Sequence, residues 1–148
     1  MVINKTMGAP IEILVVEDNP GDIRLIKESF KEWNVRHNIT VAQDGQMALE
    51  FLKQEGEYLN AKRPNLITLD LNLPKMNGIE LLKEIKNHDE LKIIPIVILT
   101  TSHKEEDIIE TYQHNVNAYL TKPVDLNKYT EVINSIQDFW LSKVKLPY

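Results

Sequence analysis

Carboxylates, hydroxyls and one ammonium follow the apolar runs of this sequence, each at the point where a run stops. They are Glu17 and Asp18 after the first run, Asp70 after the third, Thr100 and Thr101 after the fourth, and Lys122 after the fifth. Asp70 directly follows the short run LITL, which is typical of a strand buried on both faces. This is a costly position for a carboxylate, because an ionised group resists desolvation. A single aspartate there could cap the next helix or hold a turn, so its neighbours decide the interpretation.

These side chains would come together if the runs were neighbouring parallel strands. The carboxyl ends of parallel strands share one edge of a sheet, where ligands and chemistry collect. Glu17, Asp18 and Asp70 would then repel one another, and protonation, Lys122 or a bound cation must offset that repulsion. Oxygen ligands without cysteine or histidine favour a hard divalent cation, and Mg²⁺ takes few protein ligands because it keeps several waters. The residues therefore predict a Mg²⁺ site.

Five strand patterns alternate with five helical patterns. We expect strands at residues 11–16, 37–42, 66–69, 93–100 and 116–120. We expect a first helix that follows capping residues 19–22 and reaches residue 30, helices at 46–54, 78–87 and 105–115, and a last one capped by Asp125. Apolar strands that alternate with helices imply an α/β fold with a parallel sheet covered on both faces. Right-handed crossovers favour a doubly wound, five-stranded sheet in the flavodoxin-like order 2-1-3-4-5.

The composition narrows the class of protein. With 148 residues, 43% hydrophobic and 26% charged, the chain fits one globular domain that can bury a core. It has no cysteine, which excludes disulfides, zinc–thiolate sites and thiol catalysis. No apolar run approaches the roughly 20 residues of a membrane span, and residues 1–10 lack a signal-peptide core, so we expect a cytoplasmic protein with no membrane partner. The net charge of −5 argues against nucleic acid as a direct partner.

The acidic loop after the first strand separates two kinds of protein with this architecture. A flavodoxin would hold the phosphate of FMN on a Ser/Thr-rich loop there, whereas EDNPGD would repel that anion. The sequence instead resembles the receiver domain of two-component response regulators. Four motifs carry the resemblance, in this order: VVEDNP, LDLNLPKMNG, ILTT and AYLTKP. The resemblance covers about residues 10–140, and we expect one receiver domain over residues 1–148, with a short lead-in and a C-terminal extension.

The resemblance implies a reactive site around Asp70. This residue would be the nucleophile that takes a phosphoryl group from a phosphohistidine of a sensor histidine kinase. Asp18, Asp70 and the backbone carbonyl of Asn72 would bind Mg²⁺. Glu17 would act on the ion directly or through water, and Lys122 would pair with the phosphoryl oxygens. In-line attack on phosphorus needs an anionic nucleophile and cations beside the equatorial oxygens, and this set of groups meets both needs.

The resemblance also implies a switch beside the site. Thr100 would donate a hydrogen bond to the new phosphoryl group and pull its loop inward, and Tyr119 would rotate into the space that is vacated. An ordinary core aromatic is the alternative for Tyr119. The family further implies a cis peptide bond between Lys122 and Pro123, although cis is the minor isomer of an X–Pro bond.

Within the family, the sequence is most similar to the small stand-alone regulators that serve bacterial phytochrome kinases. The features that carry this likeness are the long connection 55–63, the stretch HNVNAYLTKPVDL and the terminal SIQDFWLSKVKLP. The likeness implies a phytochrome-type sensor histidine kinase as partner and no output domain. It also implies a homodimer, modulated by phosphorylation, that forms through residues 104–140. The adjacent Phe139 and Trp140 point to different sides of a helix, so we expect one of them on the surface.

We predict a phosphorylation-activated response regulator whose own catalysis is limited to self-phosphorylation and hydrolysis of the aspartyl phosphate. One alternative is a phosphorelay shuttle, which would pass phosphate onward rapidly and have no output of its own. A haloacid-dehalogenase-like phosphatase would carry its nucleophile after the first strand and a second Asp two residues on, where this chain has Asn72. The remaining alternatives are a degenerate receiver that takes no phosphate and a purely structural network of Asp18, Asp70 and Lys122.

Overall fold

The computed structural model describes residues 10–138, which form one parallel sheet with helices against both faces. The strands are β1 (Ile11–Val16), β2 (His37–Ala42), β3 (Leu66–Leu69), β4 (Ile96–Thr100) and β5 (Ala118–Thr121). The helices are α1 (Pro20–Phe30), α2 (Gly45–Leu52), α3 (Gly78–Lys86), α4 (Glu105–Gln113) and α5 (Leu126–Ile136), with a short 3₁₀ helix at Gly56–Tyr58. The strand order β2-β1-β3-β4-β5 confirms the predicted doubly wound, flavodoxin-like α/β fold. Between residues 10 and 138, none of the helices has the length and apolar character needed to cross a membrane.

Apolar side chains of the central strands pack on both faces of the sheet. β3 and β4 are buried along their whole length. In β1, successive side chains point to opposite faces, as the pleat of a strand requires. Leu14 and Val16 pack on the side of α2 and α3, and Ile13 and Val15 on the side of α1 and α5. Two hydrophobic clusters therefore fix the strands whose carboxyl ends carry the predicted site.

Four of the five α-helices in residues 10–138 begin with a polar side-chain cap at the carboxyl edge of the sheet, and α4 is the exception. The side chain of Asn19 accepts a hydrogen bond from the backbone N–H of Asp22 at 3.0 Å, which caps α1. Asp125 accepts one from the backbone N–H of Lys128 at 3.0 Å and caps α5 as predicted. Asn77 caps α3 in the same way. These caps hold the loops between strand ends and helix starts in a defined conformation.

The elements differ from the sequence prediction at their ends. The fourth strand begins at Ile96 and not three residues earlier, because the preceding Pro95 has no N–H to donate to a ladder. α2 and α4 end earlier than predicted. Beyond their ends, Gln54 (φ 59°) and Asn115 (φ 62°) adopt the left-handed conformation, which ends a helix. The fifth strand lies slightly later than predicted, at Ala118–Thr121.

The peptide bond between Lys122 and Pro123 is trans, so the cis bond implied by the family resemblance is wrong for this structure. Trans is the isomer of lower free energy for an X–Pro bond, by about 0.5–1 kcal/mol. The trans loop also keeps the backbone of Lys122 on the sheet, since its N–H donates a hydrogen bond to the carbonyl of Thr100 at 2.8 Å.

Candidate functional site

The loop after β1 presents two acidic residues with opposite exposure. The backbone N–H of Glu17 donates to the carbonyl of Ala42 at 3.0 Å, which extends the pairing of β1 and β2 by one residue. The side chain of Glu17 is buried, and its Oε2 accepts a hydrogen bond from the backbone N–H of Asn19 at 3.1 Å. Asp18 is exposed at the rim. The tight turn before α1 therefore directs one carboxylate inward and leaves the other open to solvent.

Asp70 lies in the middle of the site, at the end of β3. Its backbone N–H donates to the carbonyl of Val16 at 3.1 Å, so the residue is fixed as a continuation of the sheet. The side chain is buried, and both oxygens have partners: Oδ1 accepts from the backbone N–H of Asn72 at 3.2 Å, and Oδ2 accepts from Nζ of Lys122 at 2.9 Å. Its orientation is therefore set from two sides.

Lys122 joins three carboxylates, which come from the loop after β1, from the first turn of α1 and from the residue after β3. Its Nζ lies 2.7 Å from Oε1 of Glu17, 2.9 Å from Oδ2 of Asp70 and 2.9 Å from Oδ2 of Asp22. The side chain is only 6% exposed. Each of the three hydrogens of an ammonium group can thus be donated to a carboxylate, which is the arrangement that a buried lysine requires. The structure brings together Glu17, Asp18, Asp70 and Lys122 as the sequence predicted.

Asp22 and Tyr129 also belong to this cluster, and the sequence reasoning missed both. Asp22 was interpreted only as part of the turn that caps α1, yet its side chain reaches Lys122. The hydroxyl of Tyr129, from α5, donates to Oδ1 of Asp22 at 2.7 Å. Tyr129 fits the apolar stripe of α5, so its periodicity indicated a core residue. The available signal for Asp22 was its place in the first turn of α1, where side chains point back toward the start of the helix.

The proton affinities of the cluster reflect burial and mutual charge. Burial, opposed by the hydrogen bond from Lys122 and assisted by the negative charge of Asp70, raises the pKa of Glu17 from its ordinary value to about 7. Burial acts to lower the pKa of Lys122, but its hydrogen bonds to Glu17, Asp22 and Asp70 outweigh burial and raise that pKa above its ordinary value. Burial and the neighbouring Asp22 raise the pKa of Tyr129, so its hydroxyl stays protonated and acts as a donor.

The acidic cluster fits a hard divalent cation. Glu17, Asp18 and Asp70 each offer a carboxylate oxygen, and these oxygens lie within 4.8 Å of one another. With Asp22, four carboxylates meet the single ammonium of Lys122, so negative charge remains for a cation to neutralise. All three ligand groups are oxygens, as Mg²⁺ and Mn²⁺ prefer. The structure brings Asn72 beside Asp70 through its N–H, and the part of its carbonyl in metal binding stays a prediction.

Thr100 and Tyr119, the predicted switch pair, both contact Ser102 in the loop between β4 and α4. Oγ1 of Thr100, which is fully buried, accepts from the backbone N–H of Ser102 at 3.4 Å. The hydroxyl of the partly buried Tyr119 donates to the carbonyl of Ser102 at 3.0 Å. The Oγ of Ser102 donates in turn to Asp107 of α4 at 2.6 Å. One loop residue thus connects both predicted switch residues with α4, a link that the sequence motifs did not indicate.

This sheet, with an acidic cluster, a buried lysine and a threonine at its carboxyl edge, is the arrangement of a receiver domain from two-component signalling. The chain belongs to the response regulator receiver domain family, whose model matches residues 13–134. The family prediction is therefore confirmed, and with it the function of a phosphorylation-activated response regulator. The family is one of signalling proteins, and the phosphatase alternative is excluded.

Relatives of known structure support the same assignment. The chain is 49% identical over 138 residues to the response regulator Rcp1 of Synechocystis sp., an alignment that covers 93% of this chain and 94% of Rcp1. The crystal structure of the phosphorylated cyanobacterial phytochrome response regulator RcpA matches with a TM-score of 0.91 and 48% identity, over 95% of this chain and all of RcpA. The Mn²⁺-bound form of Rcp1 matches with a TM-score of 0.89 and 49% identity, over 94% of this chain and 100% of that one.

Proposed function

We propose that Asp70 is the residue that accepts the phosphoryl group, donated by a phosphohistidine of a sensor histidine kinase. One observation supports this most directly. The ammonium of Lys122 and the carboxylate oxygens of Glu17 and Asp18 all lie close to the buried carboxylate of Asp70. Among the acids of this cluster, Asp70 is the one that follows the central strand β3, where its backbone N–H and both of its carboxylate oxygens are held by neighbours.

Phosphoryl transfer to Asp70 needs an attacking electron pair and cations beside the phosphoryl oxygens. A carboxylate oxygen of Asp70 donates its lone pair to phosphorus while the P–N bond to the donor imidazole breaks. The electron pair of that bond leaves with the imidazole nitrogen, which takes up a proton. Lys122, which already contacts Asp70, neutralises charge on the transferred group, and the Thr100 hydroxyl donates a hydrogen bond to it.

The ion that the site would hold is Mg²⁺, bound by Glu17, Asp18, Asp70 and the backbone carbonyl of Asn72. When bound, it supplies positive charge to the phosphoryl oxygens and lowers the repulsion between donor and acceptor. Support comes from the spacing of the three carboxylates and from a relative, Rcp1, whose structure was determined with Mn²⁺. No further cofactor is proposed.

The partner that we propose is a sensor histidine kinase of the phytochrome type. The support is the similarity over nearly the whole chain to RcpA, which is described as a cyanobacterial phytochrome response regulator. We propose that residues 1–148 act as a single receiver domain. The expectation of a cytoplasmic protein that contacts neither nucleic acid nor membrane stays a prediction.

The output of phosphorylation is proposed to be a changed surface around residues 104–140. Thr100 and Tyr119 both contact Ser102, which in turn contacts α4. A new hydrogen bond at Thr100 would therefore shift Ser102 and, with it, the position of α4. On α4, Ile109 and Tyr112 expose apolar surface, which suits a homodimer contact. The other proposed contributors, Phe139 and Trp140, lie outside the described residues.

Chemical trapping of the aspartyl phosphate tests the central proposal. The protein is incubated with acetyl phosphate and Mg²⁺, reduced with borohydride, digested and sequenced by mass spectrometry. Reduction converts a phosphorylated aspartate into homoserine, so we expect homoserine at position 70 and unmodified aspartate at positions 18 and 22. Homoserine at either of those positions, with Asp70 intact, would identify a different acceptor and contradict the proposal.

A further inference from the structure

Asp22 differs from the other carboxylates that contact Lys122. Glu17 and Asp70 are expected to bind Mg²⁺, so in the loaded site their oxygens are shared between the ion and the ammonium. Asp22 comes from the first turn of α1 and is not among the carboxylates whose oxygens converge on the predicted metal position. Its Oδ2 nevertheless lies 2.9 Å from Nζ of Lys122. Within the described residues, Asp22 is therefore the anionic partner that Lys122 can keep when the metal is bound.

Tyr129 fixes the orientation of Asp22. Its hydroxyl donates to Oδ1 at 2.7 Å, while Oδ2 accepts from Lys122, so both oxygens of Asp22 are engaged. The tyrosine is fully buried in the cluster between α1 and α5, where it packs with Ile26 and Phe30. The side chain of Asp22 is 22% exposed and would otherwise be free to rotate toward solvent. Tyr129, which is fixed in the core, thus holds the carboxylate of Asp22 in one orientation.

We propose that Asp22, oriented by Tyr129, is a positioning residue that holds the Lys122 ammonium beside Asp70 for phosphoryl transfer. This inference rests on the proposed role of Asp70 as acceptor. The ammonium must already stand beside the phosphoryl oxygens when the transfer occurs, because a flexible lysine side chain loses rotamer freedom each time it is fixed. A fixed carboxylate that the metal does not use keeps Lys122 in place before and during the reaction.

Two substitutions remove both of these contacts or only the one from Tyr129, and both leave the cap of α1 in place. Asp22→Ala removes the carboxylate but keeps the cap, since the backbone N–H of Asp22 is the donor to Asn19. Tyr129→Phe removes only the hydroxyl and leaves the ring in the cluster and the net charge unchanged. Tyr58→Phe is the matched control, because this partly buried tyrosine packs on Phe51 on the other face of the sheet.

The rate of phosphorylation by acetyl phosphate at saturating Mg²⁺, followed by intact mass, is the measured quantity. We expect Tyr129→Phe to be slower than the wild type by about fivefold, because Asp22 keeps its charge beside Lys122 but loses the hydrogen bond that orients it. We expect Asp22→Ala to be slower by about tenfold, because a charge-assisted hydrogen bond to Lys122 is lost. Tyr58→Phe should match the wild type, and all variants should keep the far-ultraviolet circular dichroism of the wild type.

The double variant distinguishes positioning from a structural effect of the tyrosine. If Tyr129 acts through Asp22, Tyr129→Phe has no further effect on the rate in the Asp22→Ala background. If Tyr129→Phe slows phosphorylation equally in the wild-type and Asp22→Ala backgrounds, the proposal is overturned, because the Tyr129 hydroxyl then acts independently of Asp22. Wild-type rates in both single variants would overturn it as well and leave the role of Asp70 intact. A wild-type protein that takes no phosphoryl group would overturn the proposed function, and this inference with it.

Discussion

At the scale of single residues, charge is the dominant feature of this site. Lys122 donates to Glu17, Asp22 and Asp70, and exposed Asp18 adds a further carboxylate at the rim. The site without a cation is therefore electrostatically strained, and Glu17 shows the effect in its raised pKa of about 7. The buried charges of Glu17, Asp70 and Lys122 are thus already oriented by their neighbours, whereas Asp18 is open to solvent.

The raised pKa of Glu17 predicts how stability depends on pH in the metal-free protein. The pKa of Glu17 is 4.5 in an unfolded chain and about 7 in the folded protein. At pH values between these two, the folded state therefore binds a proton on Glu17 more tightly than the unfolded state does. The stability that Glu17 contributes is thus fully present below pH 4.5 and is lost as the pH rises through about 7. Urea unfolding in EDTA, from about pH 5 to 8, should show this loss in the wild type and a flatter profile in Glu17→Gln.

A control and a contrary result define that pH experiment. Glu131→Gln, at an exposed position on α5, should keep the wild-type profile. Added Mg²⁺ should flatten the wild-type profile above neutral pH, because the ion binds the ionised carboxylate. If Glu17→Gln shows the same decrease in stability as the wild type, then Glu17 does not hold a proton in the folded state.

The hydroxyl of Thr100 is predicted to assist the phosphoryl group directly. Thr100→Ala should slow phosphorylation by acetyl phosphate by about fivefold, the effect of one lost hydrogen bond. Thr100→Ser should restore most of the rate, because it keeps the hydroxyl. The neighbouring Thr101 is exposed, so Thr101→Ala serves as the matched control and should react at the wild-type rate. Equal rates for the two alanine variants would exclude the role of Thr100.

At the scale of elements, the loop from β3 to α3 holds Asp70, the proposed acceptor, in place through Gly78. A Cβ at Gly78 would lie 2.5 Å from the carbonyl oxygen of Asp70 and 2.5 Å from Cα of Leu71. Both are backbone atoms and cannot rotate away. The start of α3 therefore approaches the strand end so closely that a side chain at this position would displace Asp70 itself.

Two adjacent substitutions separate helix capping from acceptor placement. Gly78→Ala should lower the free energy of unfolding by about 1–3 kcal/mol through overpacking, and it should also slow phosphorylation because Asp70 shifts. Asn77→Ala removes the cap of α3 and should cost about 1 kcal/mol, with phosphorylation unchanged. Urea unfolding and intact-mass kinetics on both variants measure the two effects. A Gly78→Ala protein that is phosphorylated at the wild-type rate would show that the loop relaxes without moving Asp70.

The elements were predictable where the sequence repeats a simple physical pattern. Apolar runs predicted the first, third and fourth strands, and short mixed segments the second and fifth, while Asn19 and Asp125 were recognisable as caps. The ends of α2 and α4 depend on left-handed backbone at Gln54, whose residue type gives no sign of it, and at Asn115, whose residue type tolerates that conformation without requiring it. Side-chain contacts between residues far apart in the sequence could not be predicted from it either. The link from Tyr129 to Asp22 joins residues 107 positions apart, and a tyrosine in an apolar stripe gives no sign that its hydroxyl has a charged partner.

At the scale of the whole molecule, the proposed output is a surface change on phosphorylation that a partner can recognise. The contacts from Thr100 and Tyr119 through Ser102 lead to α4, which carries exposed apolar side chains. Motif order identified the family and the acidic site, because strand ends in a parallel sheet share one edge. The sequence could not show which loop residue connects the site with that surface, since Ser102 has no motif of its own.

Phosphorylation-dependent pairing through α4 is a prediction about the whole molecule. Sedimentation velocity should show a larger share of dimer after phosphorylation of the wild type. Ile109→Ser should weaken that dimer because it removes half-exposed apolar surface, whereas Leu59→Ser, at an exposed apolar side chain beside the short 3₁₀ helix, should not. A wild-type protein that stays monomeric in both phosphorylation states would contradict the proposed output.

The most direct test of the central claim is the intact mass of the protein after incubation with acetyl phosphate. It is measured for the wild type and for Asp70→Asn, each with Mg²⁺ and with EDTA. We expect the gain of one phosphoryl group in the wild type with Mg²⁺, and no gain in EDTA or in Asp70→Asn. A gain that survives in Asp70→Asn would contradict the assignment of the acceptor, and no gain in the wild type would mean that this receiver does not accept phosphate.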